Sequence, residues 1–207
     1  MKYRYLNEVL LNWNSEDKIQ DNNIIKSSDI KDKIDQYFIH IIFPYDEKKS
    51  LRIFNNEWPL FRFYRDKVYI NNKQVPLNDE GWVQDPDTGH VIEFKPGEHR
   101  IYIKDIDQVI NCNKMFYHCM KLWKVPLFDT SKVKDMSHMF ECTRIETVPE
   151  FNTVNVQNMN YMFYVCPHLR SVPKFNLKNL IWNHNMFSAI SGLDNETKKN
   201  WGFTFGI

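Results

Sequence analysis

FDTSKVKDMSHMFECTRIETVPEF, residues Phe128 to Phe151, and FNTVNVQNMNYMFYVCPHLRSVPKF, residues Phe151 to Phe175, are two copies of one pattern. Met-Phe recurs at Met115-Phe116, Met139-Phe140, Met162-Phe163 and Met186-Phe187, at intervals of 24, 23 and 24 residues. A fixed period of this length outranks local propensity, because each unit must bury its apolar face on the next. Other positions keep the same phase. Val109, Val133, Val156 and Leu180 precede each Met by six residues, and Phe128, Phe151 and Phe175 precede the last three by eleven. Leu122, Ile145 and Leu169 are each followed three residues on by Val125-Pro126, Val148-Pro149 and Val172-Pro173. Short strands at these LxxVP segments are expected to stack at about 4.8 Å spacing, turn on turn. Proline has no N–H to donate, so Pro126, Pro149 and Pro173 belong at strand ends.

Cys119, Cys142 and Cys166 follow the Met-Phe pairs and stand three residues before the Leu/Ile column, while Ile190 takes the equivalent place in the last turn. A position that accepts Ile is an apolar position, so all three are predicted to be buried, reduced thiols that hold no metal. No CxxC pair occurs together with a second CxxC or with closely spaced histidines, the usual arrangement of structural zinc. The Met-Phe column itself is predicted to fill the core.

These segments resemble the BspA-like leucine-rich repeats. The resemblance covers roughly Asp105 to Leu193, just under half of the chain, and the lead-in GEHRIYI (Gly97 to Ile103) fits it too. It implies a solenoid of stacked short strands. The last turn departs from the pattern: Asn183 replaces the Met of the middle turns, and Ala189-Ile190 stand where the others carry Cys. That turn reads as terminal, with DNETKKNWGFTFGI from Asp194 closing the apolar end. Many members of that family are surface proteins, which makes cell-surface adhesion one functional alternative.

Residues 1 to about 104 show no such period. DIKDKIDQYF (Asp29 to Phe38) begins with a capping residue and aligns Ile30, Ile34, Tyr37 and Phe38, which predicts a short amphipathic helix; Tyr3, Leu6, Leu10 and Trp13 allow another. From Ile39 the pattern turns strand-like through IHIIF, LRIF, LFRFY, KVYIN, VIEF and HRIYI. Asn71-Asn72 suits a tight hairpin, and Lys95-Pro96-Gly97-Glu98 suits a type II turn. The last strand, Glu98 to Lys104, is expected to run into the repeats and cover their first edge. The expected fold is therefore α+β: a small β-rich N-terminal domain with one or two helices (1–104), followed by a short BspA-like leucine-rich-repeat solenoid of about four turns with a C-terminal cap (105–207).

Function is constrained mainly by exclusion. The 207 residues carry 27 Lys and Arg against 26 Asp and Glu, so no strong charge excess marks the chain for nucleic acid or an anionic membrane. The start, MKYRYLNEVLLNWN, has charges where a signal peptide needs a continuous apolar run, and no stretch is long enough to span a bilayer. A cytoplasmic location is expected. GxSxG, HExxH and GxxxxGK[ST] are absent, and 6 Gly in 207 residues leave few places for backbone to cradle phosphate. His118 beside Cys119, and His168 near Cys166, suggest a nucleophile and base, but no orienting third group accompanies them. Asp85 and Asp87 read as turn formers. No catalysis, cofactor, metal or small-molecule substrate is expected.

The variable positions beside the Leu/Ile and Val columns are the best candidates for a working surface, because stacking turns them into adjacent rows. Trp123, Lys124, Glu146, Arg170 and Lys174 are the candidate partner-binding residues. Aromatic and Arg anchors among charged neighbours suit a protein partner. The expected role is macromolecular binding, as a stoichiometric inhibitor of phage or mobile-element type or as a scaffold. A nucleic-acid or nucleoprotein partner is the alternative, resting on the mildly basic second half and on Trp123, Tyr164 and Trp182 as stacking platforms; Glu146, Glu150 and Asp135 interrupt any basic stripe.

Overall fold

Alternation in FIHII decides the first strand: Phe38, His40 and Ile42 are buried, while Ile39 and Ile41 are half-buried. The structure is a computed structural model that describes residues 37–42, 45–47, 49–70 and 73–201. Its elements are β1 (Phe38–Ile42), α1 (Phe61–Tyr64), β2 (Val68–Ile70), β3 (Lys73–Gln74), β4 (Gly97–Ile103), a 3-10 turn (Ile106–Gln108), β5 (Leu122–Lys124) and α2 (Asn195–Asn200). The strands form one open sheet, in the order β3-β2-β4-β1-β5. Every pairing is antiparallel, with Phe38 opposite Ile101, Val68 opposite Ile103, and Ile39 opposite Lys124.

This corrects the expected fold class. A β-rich domain followed by a leucine-rich-repeat solenoid is not what the described residues form, because the repeat half contributes one strand, β5, and that strand joins the N-terminal sheet as its edge. The equivalent segments in later repeats are reduced to single parallel bridges, Lys124 to Thr147 and Thr147 to Ser171. The physical reason lies in the LxxVP pattern. A proline four residues after each Leu or Ile removes the next donor, so each segment pairs at one residue and no ladder propagates.

Further expectations change within the first half. LFRFY is helical rather than extended: Phe61 and Tyr64 point inward three residues apart, whereas Phe63 is exposed. LRIF and VIEF form isolated bridges, at Arg52 to Trp82 and at Gln84 to Val91 and Ser50 to Glu93. Gly97 has φ +143° and opens β4, outside the roughly +80° of a type II turn. Phe38, assigned to a helix end, begins β1. The helix allowed over residues 3–13, residues 29–36 of the helix predicted over Asp29 to Phe38, the Asn71-Asn72 turn and residues 202–207 lie outside the described residues.

The repeat period is nevertheless visible as packing. Rings of Phe54, Phe116, Phe140, Phe163 and Phe187 follow one another with centroids 5.5–5.9 Å apart and interplanar angles of 5–26°. A second file runs through Phe38, Phe128, Phe151 and Phe175, and both files end on Trp201. Such contacts are worth about 0.5–1.5 kcal/mol each beyond area burial. One continuous hydrophobic cluster joins the sheet to the repeats, from Phe38 to Leu193.

Polar groups secure both ends of the packed repeats. The first turn is covered chiefly by residues 53–58 rather than by β4: Asn55 N donates to Met115 O, Asn55 Nδ2 to Tyr117 O, and Trp58 Nε1 to Asn111 O. Buried Asp46 receives Lys121 Nζ at 2.6 Å and Arg144 NH1 at 3.0 Å, tying the N-terminal half to two successive turns. At the far end α2 is tied to the last repeats. Asp194 accepts from Thr197 N, and the buried Thr197 hydroxyl accepts from Val172 N.

Each turn also contains two residues in the left-handed region. Lys114, His138, Tyr161 and Asn185 stand one before the Met, and His118, Cys142, Val165 and Ala189 stand three after it, all with φ between 52° and 60°. For a residue with a Cβ this conformation costs about 1–2 kcal/mol. It aims the backbone N–H at the next turn: His118 N reaches Glu141 O, Cys142 N reaches Tyr164 O, and Val165 N reaches Ser188 O, at 3.0–3.2 Å. Cross-turn hydrogen bonding offsets the strain.

Candidate functional site

Three of the five candidate residues come together. Glu146 N donates to Trp123 O, Arg170 N to Glu146 O, and Asp194 N to Arg170 O, so these backbones form a row across successive turns. Trp123 Nε1 donates to Glu146 Oε2 at 3.2 Å, and the indole packs 5.2 Å from the His168 ring. Arg170 is exposed and its guanidinium lies over Gly192, donating to Gly192 O. A Cβ at Gly192 would lie 2.4 Å from Arg170 NH1, so a side chain there displaces the guanidinium. Burial, then the charges of Arg144 and Arg170, hold His168 below the usual histidine range. The row is thus a half-buried indole joined to a carboxylate, beside two guanidinium groups and an imidazole that stays neutral near pH 7.

The remaining two candidates stand apart. Lys124 is exposed beside the row but belongs to the β5 edge, where it pairs with Ile39 and Thr147. Lys174 lines a separate shallow groove with Glu150, Phe151, Asn152 and Phe175. Arg144 was not singled out in sequence and His168 stood out only for its closeness to Cys166; their positions two residues before Glu146 and before Arg170 were the signal that places them beside the row.

The cysteine column also needs correction. Cys119 and Cys166 lie four residues after their Met and are fully buried, but Cys142 lies three after Met139 and is only half-buried. Thr143 occupies the inward position instead, donating to Phe140 O and contacting Cys166 Sγ at 3.6 Å. This turn has one residue fewer before Ile145, so alignment on the Leu/Ile column mistakes the register at Cys142. Burial pushes the thiols of Cys119 and Cys166 up to about 12, and Cys112 is raised too. In the native protein a small alkylating reagent is expected to modify Cys142 first and the other three slowly, read by mass spectrometry of digested samples. Equal rates at all four thiols would contradict this burial pattern.

Displacement of Cys142 brings it to the left-handed position equivalent to His118 in the preceding turn. His118, Glu141 and Cys142 there place one nitrogen, one oxygen and one sulfur within 4.8 Å of one another. His138 Nδ1 lies 2.5 Å from Glu141 Oε2, and the His138 ring stacks on Tyr161 at 5.0 Å. The His118 and Cys119 pairing suggested by adjacency does not form, since Cys119 Sγ faces inward, 3.6 Å from Ile53 O.

The chain belongs to the family described as "Mycoplasma protein of unknown function, DUF285", which matches residues 93–201, just over half of its length. That match runs from the lead-in to β4 through the repeats to the end of α2. No curated protein and no solved structure matches the chain. Among the described residues, no helix is long and apolar enough to cross a membrane.

Proposed function

We propose that this protein is a non-catalytic binding protein that engages another protein through the row formed by Trp123, Glu146 and Arg170, as a stoichiometric inhibitor or scaffold. The observation that carries the reading is the exposed Arg170 guanidinium aligned across successive turns with the Trp123 indole, a pairing of the two residue types that most often anchor protein interfaces. Lys124 extends the row at the β5 edge. Glu146, hydrogen-bonded to the indole at the centre, disfavours a phosphate backbone and so ranks a nucleic-acid partner second.

The test is affinity capture from nuclease-treated lysate of the native host, with wild-type protein and a Trp123→Ala/Arg170→Ala variant compared side by side. A protein recovered by the wild type and depleted with the variant is the expected result. Its measured affinity should fall by at least about 1–2 kcal/mol on double substitution, the cost of losing interface anchors. Circular dichroism and melting must show that the variant stays folded, because the indole also packs on His168. A folded variant that binds the same partner normally would place the working surface elsewhere.

A further inference from the structure

We propose that His118, Glu141 and Cys142 form a binding site for a single divalent transition-metal ion of borderline softness, with zinc the best chemical match. The three donor atoms lie within 4.8 Å of one another, whereas the edges of a tetrahedral zinc site measure about 3.3–3.8 Å for bonds of 2.0–2.3 Å. Side-chain rotation of about an ångström closes that gap. A mixed imidazole, carboxylate and thiolate set excludes calcium and magnesium, which take oxygen ligands, and suits zinc or cobalt.

The fold prepares this site before any ion arrives. His118 and Cys142 occupy the same left-handed position in adjacent turns, and His118 N is bonded to Glu141 O while Cys142 N is bonded to Tyr164 O. Both side chains therefore leave the backbone side by side. The later turns carry Val165 and Ala189 at this position, neither of which can bind a metal, so the geometry belongs to the repeat but the ligands belong to this one pair of turns. The single-residue shortening that moves Cys142 outward also supplies the sulfur.

His138 acts as a positioning residue. Its Nδ1 holds Glu141 Oε2 at 2.5 Å, and stacking on Tyr161 fixes the ring; a ligating carboxylate is commonly held this way by an outer partner. All three ligands are half-buried, which leaves an entry path and a fourth coordination position open to water. With neutral His118 and ionised Glu141 and Cys142, ligand charge balances a divalent ion, and the thiol proton is released to solvent on binding.

Full-length protein titrated anaerobically with Co²⁺ alone tests the site. One equivalent should produce a thiolate-to-cobalt charge-transfer band with the intense visible bands of a tetrahedral ion, and Zn²⁺ should displace it. Cys142→Ser should abolish the band. His118→Ala should weaken binding more than about 100-fold, beyond the 10–100-fold typical of outer partners, whereas His138→Ala should fall within that range and keep the band. Circular dichroism must show each variant folded, and Zn²⁺ should also protect Cys142 from alkylation in the wild-type protein. A missing charge-transfer band in the folded wild type, a band that survives Cys142→Ser, or alkylation of Cys142 unaffected by Zn²⁺ would each overturn the assignment.

Discussion

Phe140→Ala and Phe163→Ala are each expected to cost about 3–5 kcal/mol of stability, the range for emptying a buried aromatic site. Both rings are fully buried, stack on one another at 5.6 Å with an interplanar angle of 5°, and sit in the middle of the aromatic file. Each loss leaves a cavity bounded by rings on two sides, which the flanking turns cannot close because cross-turn hydrogen bonds hold their spacing. Since small domains are stable by only about 5–15 kcal/mol, either change consumes a large share of the total. Equilibrium unfolding in denaturant measures the effect. A loss below about 1 kcal/mol for both variants would contradict the stacked arrangement, since surface substitutions fall within about 0.5 kcal/mol.

Acid sensitivity centred on His40 is the second large effect. His40 is fully buried on β1, and neither ring nitrogen has a hydrogen-bond partner among the described residues. Burial first, and the nearby His99 second, lower its pKa to about 3. In the unfolded chain the ring titrates near 6.5. Above that pH the group is neutral in both states and has no pH-dependent effect. Below it the unfolded chain takes up a proton that the folded protein refuses, so stability falls from about pH 6.5 down to about pH 3, by up to about 1.4 kcal/mol per pH unit. By pH 4 that amounts to roughly 3 kcal/mol. His40→Leu should remove this contribution and, by eliminating two unsatisfied buried nitrogens, stabilise the protein near pH 7. Unfolding curves of wild type and variant from pH 7 to pH 4 decide it: parallel losses of stability in the two proteins would remove His40 as the cause.

The candidate surface shows where sequence reasoning succeeds and where it stops. Trp123, Glu146 and Arg170 were legible because they hold one phase of the repeat, and the structure aligns them by consecutive backbone hydrogen bonds. Lys174 holds a different phase, that of Leu127 and Glu150 just beyond the prolines, and there the chain has turned into the groove beside Phe151 and Phe175. His168 and Arg144 join the cluster through ring packing and charge, which periodicity does not encode.

From its sequence alone this protein revealed the period, the Met-Phe core and the inward thiols of Cys119 and Cys166, because burial must recur wherever identical apolar faces stack. Several features were decided only in three dimensions. The single repeat strand forms its ladder with β1 and meets the next repeat only at one bridge, Lys124 to Thr147, since β1 offers an extended edge while the LxxVP prolines interrupt one. Thr143 takes the inward position and Cys142 the outward one, because the shortened turn must still deliver Ile145 to the core. His118, Cys142, Val165 and Ala189 adopt left-handed backbone without being glycine, a conformation no local preference of theirs predicts. For His118, Cys142 and Val165 the neighbouring turns impose it, by supplying the carbonyls that their N–H groups would otherwise lack.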